Sequence, residues 1–181
     1  SDQVKLAMAD SWERLLHPAM ERESIQAAKE KADEDAIAVF ALNARQLLLA
    51  APLGEKAVLA IDPGFRTGCK VVCLNKNGDL LEHGTIYPHE PKSDIPGAER
   101  LIRTWLQSHQ ISVMAIGNGT AGRETADFIH NLNISPLEVY MVNEAGASIY
   151  SASEVAAEEF PKLDLTFRGA ISIGRRLQDP M

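Results

Sequence analysis

Apolar residues between Asp2 and Leu16 fall at mostly helical spacing, with Val4, Leu6, Met8, Trp12, Leu15 and Leu16 set among charges. The His17-Pro18 step predicts a break, because proline lacks a backbone donor and restricts the residue before it. From Ala19 to Ala51 no Gly or Pro interrupts a run rich in Ala, Glu, Lys and Leu, which predicts one long helix or two in tandem. Its second half, with Ala36-Ile37-Ala38-Val39-Phe40 and Leu47-Leu48-Leu49, is the more apolar. That half is expected to pack on a partner, and the first half to project into solvent or onto other domains. Pro52 and Gly54 end the helical pattern.

A different rhythm begins at Ala57. Ala57–Ile61 reads as a buried strand, Asp62-Pro63-Gly64 as a turn, Cys69–Leu74 as a second strand and Leu80–Tyr87 as a third, with Asn77-Gly78 turning the hairpin between them. Connections this short make the three strands antiparallel, since a parallel return needs a crossover of a dozen residues or more. The pattern then alternates: helix Ile95–Ser108, strand Val113–Ile116, helix Ala121–Leu132, strand Val139–Val142, helix Ala145–Phe160 and helix Phe167–Leu177. Three antiparallel strands followed by βαβ units predict an α/β fold with a five-stranded mixed sheet flanked by helices, preceded by an α-helical arm. The division expected is a helical segment over 1–54, part of a larger helical region, and an α/β domain over 55–181.

Composition narrows the function classes. Hydrophobic residues at 45% and charged residues at 24% are an ordinary globular balance and argue against disorder. No apolar run approaches the roughly 20 residues of a membrane span, and Ser1-Asp2-Gln3 does not open a signal peptide. Both ends read as cut from a longer chain. Cys69 and Cys73 lie on one face of one strand, where they cannot bridge, and are expected to be buried thiols in a reducing cytosol. The net charge of −7 weighs against a simple electrostatic nucleic-acid binder. Arg168, Arg175 and Arg176 nevertheless lie in an acid-free stretch from Phe167 to Gln178.

Three polar or glycine-rich loops follow strands: Asp62–Gly68, Gly117–Glu124 and Asn143–Ser148. In an open α/β sheet ligands bind beyond the carboxyl ends of strands, so Asp62, Asn118 and Glu144 are expected to converge. Two carboxylates there suit a hard divalent cation, Mg²⁺ or Mn²⁺, which supports phosphoryl transfer. Equally, Asp62 can order its own turn and Glu144 can favour the start of the next helix. The second loop matches G-x-G-x-x-G, but it follows antiparallel strands and not the first strand of a βαβ unit. It reads as a phosphate cradle or as a tight turn capped by Thr120. The five histidines are scattered and read as surface or loop residues, and no nucleophilic triad or metal-type cysteine cluster is visible.

The segments Ala60–Lys70, Gly117–Thr120, Asn143–Ser153 and Arg168–Pro180 closely resemble the Tex family of bacterial transcription accessory proteins. Glu34–Phe40 and the Leu47–Pro52 segment resemble the portion just before the matching domain of that family. The resemblance implies a YqgF-like domain, related to RuvC Holliday-junction resolvases within the ribonuclease H-like superfamily. It also implies a cytosolic protein with further helix-hairpin-helix and OB-fold RNA-binding parts. Such a protein binds RNA or DNA with little sequence preference and is associated with the transcription machinery. The resolvase-type acid of the first strand matches Asp62. The acid at the end of the fourth strand is replaced by Gly117-Asn118, and the final helix carries Arg168, Ser172, Arg175 and Arg176 with no acid before Asp179. Glu144 stands in for one missing ligand. The resulting expectation is a binding or scaffold module with a vestigial nuclease site. Arg66, Asn118, Thr120, Arg123, Arg168, Arg175 and Arg176 are its candidate nucleic-acid contacts. The alternatives are a metal-dependent nuclease using Asp62 and Glu144, and a nucleotide-binding domain.

Overall fold

A computed structural model describes residues 1–49 and 52–179, apart from the side chain at 47. The expected helix end at Ala51 and the closing residues 180–181 lie outside the described residues. The chain divides into two compact units, Ser1–Leu49 and Ala50–Met181.

In the first unit α1 (Asp2–Ser11) runs through a π-helical turn, Trp12–Leu16, into α2 (His17–Leu48). The break expected at Pro18 does not occur. The turn before it widens, and the His17 N–H donates to the Trp12 carbonyl five residues back. A π-turn of this kind accommodates the residue that proline's missing donor and bulky ring would otherwise disrupt. Many apolar side chains of this unit, among them Trp12, Ile37, Val39 and Phe40, are exposed within it.

The second unit is a five-stranded sheet in the order β3-β2-β1-β4-β5, built from β1 (Val58–Asp62), β2 (Cys69–Leu74), β3 (Leu80–Ile86), β4 (Val113–Gly117) and β5 (Glu138–Val142). β2 pairs antiparallel with β1 and β3, while β4 runs parallel to both β1 and β5. This order and sense make the five-stranded mixed sheet that the sequence predicts. Alternation along β1 sends Leu59 and Ile61 to one face and Val58 and Ala60 to the other. The first face packs on α3 (Ile95–Ser108) and α4 (Gly122–Asn131) through Ile102, Leu106, Phe128 and Ile129. The second packs on α7 (Leu165–Gln178) through Ala170, Ile171 and Ile173. Asp94 caps α3, its side chain accepting from the Gly97 N–H at 3.0 Å. Cys69 and Cys73 are both fully buried free thiols on the first face.

Two local expectations are corrected. Thr120 does not cap α4: the cap position is Ala121 in the left-handed region, φ +63°, with no side-chain hydrogen bond. The single helix expected over Ala145–Phe160 is two, α5 (Ala147–Ser151) and α6 (Glu154–Glu159). The serines cause the break. Ser151 and Ser153 hydroxyls donate back to the carbonyls of Ser148 and Tyr150, and Ser153 in extended conformation then caps α6 by accepting from the Ala156 N–H at 3.2 Å.

Candidate functional site

Parallel pairing aligns three strand ends. Ile61 of β1 is level with Ile116 of β4, and Gly117 of β4 is level with Val142 of β5. The three loops therefore leave the sheet on one edge, and they touch. The Asn118 N–H donates to the Val142 carbonyl at 3.0 Å, and the Asn118 Oδ1 accepts from the Glu144 N–H at 3.3 Å. A methyl group at Gly117 would lie 2.6 Å from Glu144 Oε2 and 3.1 Å from Pro63 Cδ, so all three bends meet around that glycine. A methyl at Gly119 would collide with Glu144 Oε1: the carboxylate occupies the space that a side chain there would need. A pyrophosphate approaching the G-x-G-x-x-G backbone would need that same space, which argues against a dinucleotide site in this loop.

Asp62 and Glu144 share the wall of a cleft of about 260 Å³, closed on the other side by Leu165, Thr166 and Gly169 of α7 and by Ser148 and Ser151 of α5. Gly169 faces Asp62 closely; a methyl there would sit 3.2 Å from Asp62 Oδ2. Burial, and then the nearby Glu144 carboxylate, raise the Asp62 carboxyl from 3.8 to about 6, against an opposing pull from Lys70. Lys70 lies directly across the β1–β2 ladder from Asp62, its ammonium donating to the Thr67 carbonyl at 2.6 Å and more weakly to that of Gly68. The Glu144 carboxylate thus favours the protonated or cation-bound form of the Asp62 beside it. Among the described residues no set of three His, Cys, Asp or Glu side chains gathers as a metal-binding group.

The other candidates divide by location. Arg66, Asn118, Thr120 and Arg123 are exposed on the first two rim loops and the start of α4. The arginines of α7 are engaged inside the domain. Arg168, 9% exposed, donates to the carbonyls of Ser151 and Phe160, where α5 and α6 end. Arg175 pairs with the Glu159 carboxylate and donates to the Gly78 carbonyl at 2.9 Å. Arg176 donates to the carbonyls of Asn143 and Ala145.

Sequence reasoning passed over Lys70 and a small network beside the first loop. The His89 ring lies edge-on to Phe65, with centroids 5.5 Å apart, and its Nε2 hydrogen-bonds the buried Thr125 hydroxyl at 2.9 Å. Burial lowers the His89 pKa, opposed by Glu124. His89 thus ties the Asp62–Gly68 loop to α4. No local signal marks it, because its partner lies 36 residues further along the chain.

Comparison with known proteins agrees with this geometry. The family described as Tex protein YqgF-like domain matches residues 56–178. The chain is 50% identical over 175 residues to the uncharacterized protein YdcI of Bacillus subtilis, covering 95% of the chain and 24% of that protein. It is 45% identical over 175 residues to the transcriptional accessory protein Tex of Neisseria gonorrhoeae, covering 94% of the chain and 23% of that protein. The chain therefore spans about a quarter of the length of these relatives. Among solved structures, RuvC of T. thermophilus in complex with Holliday junction substrate aligns with a TM-score of 0.45 at 15% identity, over 66% of this chain and 90% of that one. Strand order, rim loops and family match together establish that this chain belongs to the Tex family, with a YqgF-like domain over residues 56–178.

Proposed function

We propose that the chain is part of a nucleic-acid-associated transcription accessory protein, and that its YqgF-like domain is a binding or scaffold module, not a nuclease. One observation carries this reading. The cleft at the strand ends has two carboxylates, Asp62 and Glu144, and the α7 side of it presents Leu165, Thr166 and Gly169 with no acid. Two-metal hydrolysis needs carboxylates enough to hold both ions against the phosphate. The oxygens of Asp62 and Glu144 fit one hard cation, Mg²⁺ or Mn²⁺, with water completing its shell. Such an ion would neutralise a phosphate oxygen brought to the rim.

The partner in this reading is RNA or DNA met without sequence preference, alongside transcription proteins and the other domains of the same polypeptide, in the cytoplasm. The name of the Neisseria relative points the same way. No helix of the described residues is long and apolar enough to cross a membrane. The exposed Arg66 and Arg123, with Asn118 and Thr120 between them in sequence, are the phosphate contacts of this proposal. Arg168, Arg175 and Arg176, which donate to the domain's own carbonyls and to Glu159, hold the fold together in it. The test is fluorescence anisotropy of labelled single-stranded and duplex oligonucleotides titrated with the chain over a salt series. Binding that weakens with salt, and whose slope falls in Arg66→Ala/Arg123→Ala, supports the proposal. Absence of binding at low salt refutes it for this part of the protein.

A further inference from the structure

Of the three arginines on α7, two have evident structural duties. Arg168 satisfies the carbonyl ends of α5 and α6, and Arg175 makes an ion pair with Glu159. Arg176 is different. Its Nη1 donates to two carbonyl oxygens, that of Asn143 and, at 2.8 Å, that of Ala145. These residues stand on either side of Glu144. No ion pair joins Arg176 to a carboxylate among the described residues.

We infer that Arg176 is a positioning residue for Glu144: from α7 it grips the bend on both sides of that residue and so sets where the carboxylate sits in the cleft. The inference deepens the reading above and rests on Glu144 being the second carboxylate of the cleft. The geometry runs through the peptide planes. Each carbonyl belongs to a rigid planar unit, so holding the Asn143 and Ala145 oxygens fixes the planes that begin and end the bend. The plane between them is fixed by the Ala147 N–H, which donates to the Glu144 carbonyl at 2.9 Å. With all three planes set, the direction of the Glu144 side chain is set too. It runs over Gly117 and Gly119, the two positions where a methyl would collide with its oxygens. What else holds the bend is local or long. The Ala145 N–H donates to the side chain of Asn143 at 2.8 Å, and the Glu144 N–H reaches Asn118 at 3.3 Å. Gly146, at φ +84°, then turns the chain into α5. Arg176 is thus the strongest tie between this bend and the helix that forms the far wall of the cleft, and a charged donor outweighs a neutral one.

The experiment is residue-resolved amide exchange by NMR on the whole chain, for the wild type and for Arg176→Ala, Arg176→Lys and Glu144→Gln. In Arg176→Ala the amides of Ala145 and Ala147 should exchange about tenfold faster, while those of Ile61 and Ile116 in the sheet stay within about twofold. Arg176→Lys, whose ammonium reaches one carbonyl, should recover part of the protection, and Glu144→Gln should keep it. In EDTA, with no cation in the cleft, the salt slope of nucleic-acid binding should not fall by one in Arg176→Ala. Unaltered exchange at Ala145 and Ala147 would overturn the inference, as would an equal rise across the sheet. So would a salt slope lowered by about one, the mark of a lost phosphate contact. The reading of the cleft itself is probed separately with Mn²⁺ alone. If Mn²⁺ broadens no cleft amide in the wild type, the cation reading fails while the exchange result still decides the role of Arg176.

Discussion

Replacing Asp62 by Asn removes a charge that the fold holds at a cost. The carboxyl sits half-buried at the end of β1 beside Glu144, and its pKa is raised from 3.8 to about 6. A group whose folded pKa lies above its unfolded value binds its proton more tightly in the folded state. Its contribution to stability is full below the unfolded value and is lost as the pH rises through about 6. Taken at face value, the difference corresponds to about 3 kcal/mol lost at neutral pH, and solvent reaching the open cleft reduces this to roughly 1–2 kcal/mol. Asn keeps the shape and never ionises. Asp62→Asn should therefore match the wild type near about pH 4 and exceed it by about 1–2 kcal/mol near about pH 7.5. Urea unfolding measured through Trp105 of α3, in a Trp12→Phe background that silences the helical unit, reads this directly. A variant that is less stable than the wild type at neutral pH, or a difference that does not change with pH, would refute the electrostatic account of the cleft.

Other expectations follow from the same contacts. Gly119→Ala puts a methyl where Glu144 Oε1 lies; the carboxylate, the end of a flexible side chain, should swing aside at a cost below about 1 kcal/mol, and an equal cost in Gly119→Ala/Glu144→Ala would contradict the close approach. Arg168→Ala should lose roughly 2–4 kcal/mol in the same unfolding assay, because two carbonyls at helix ends lose charged donors; a neutral result would return Arg168 to the list of surface contacts. Phe65→Ala should weaken single-stranded oligonucleotide binding more than duplex binding, by about 1–3 kcal/mol if the exposed ring stacks on a base. An equal effect on both, seen by anisotropy, would deny stacking.

Where the chain's own periodicity decides structure, the sequence reads well. The second strand, Cys69–Leu74, and the helix Ile95–Ser108 have the bounds expected from the sequence, since the cap Asp94 and the apolar face act within a few residues. The convergence of Asp62, Asn118 and Glu144 was also legible, because parallel strands impose a common carboxyl edge. Part of what failed depends on partners distant in sequence, and part on local backbone bonding that hydrophobic spacing does not show. The acid-free run of α7 looks like a basic strip until the carbonyls of residues 143–160 fold against it. Pro18 reads as a stop because a π-turn that absorbs it leaves no mark in hydrophobic spacing. Ser151 and Ser153 cut the expected helix by bonding their own backbone, a choice that helix periodicity does not register. Glu144 stood in the sequence as an acid before a helix. Only the empty side-chain spaces of Gly117 and Gly119 show where its carboxylate goes.

On the proposal above, the two-carboxylate rim takes part in holding nucleic acid without cutting it. The most direct measurement is a single-turnover incubation of end-labelled single strands, duplexes and four-way junctions with excess chain in Mg²⁺ and then Mn²⁺. Retarded, intact substrate is expected in every lane. Product that accumulates with the divalent ion, and disappears with Asp62→Asn, would contradict it.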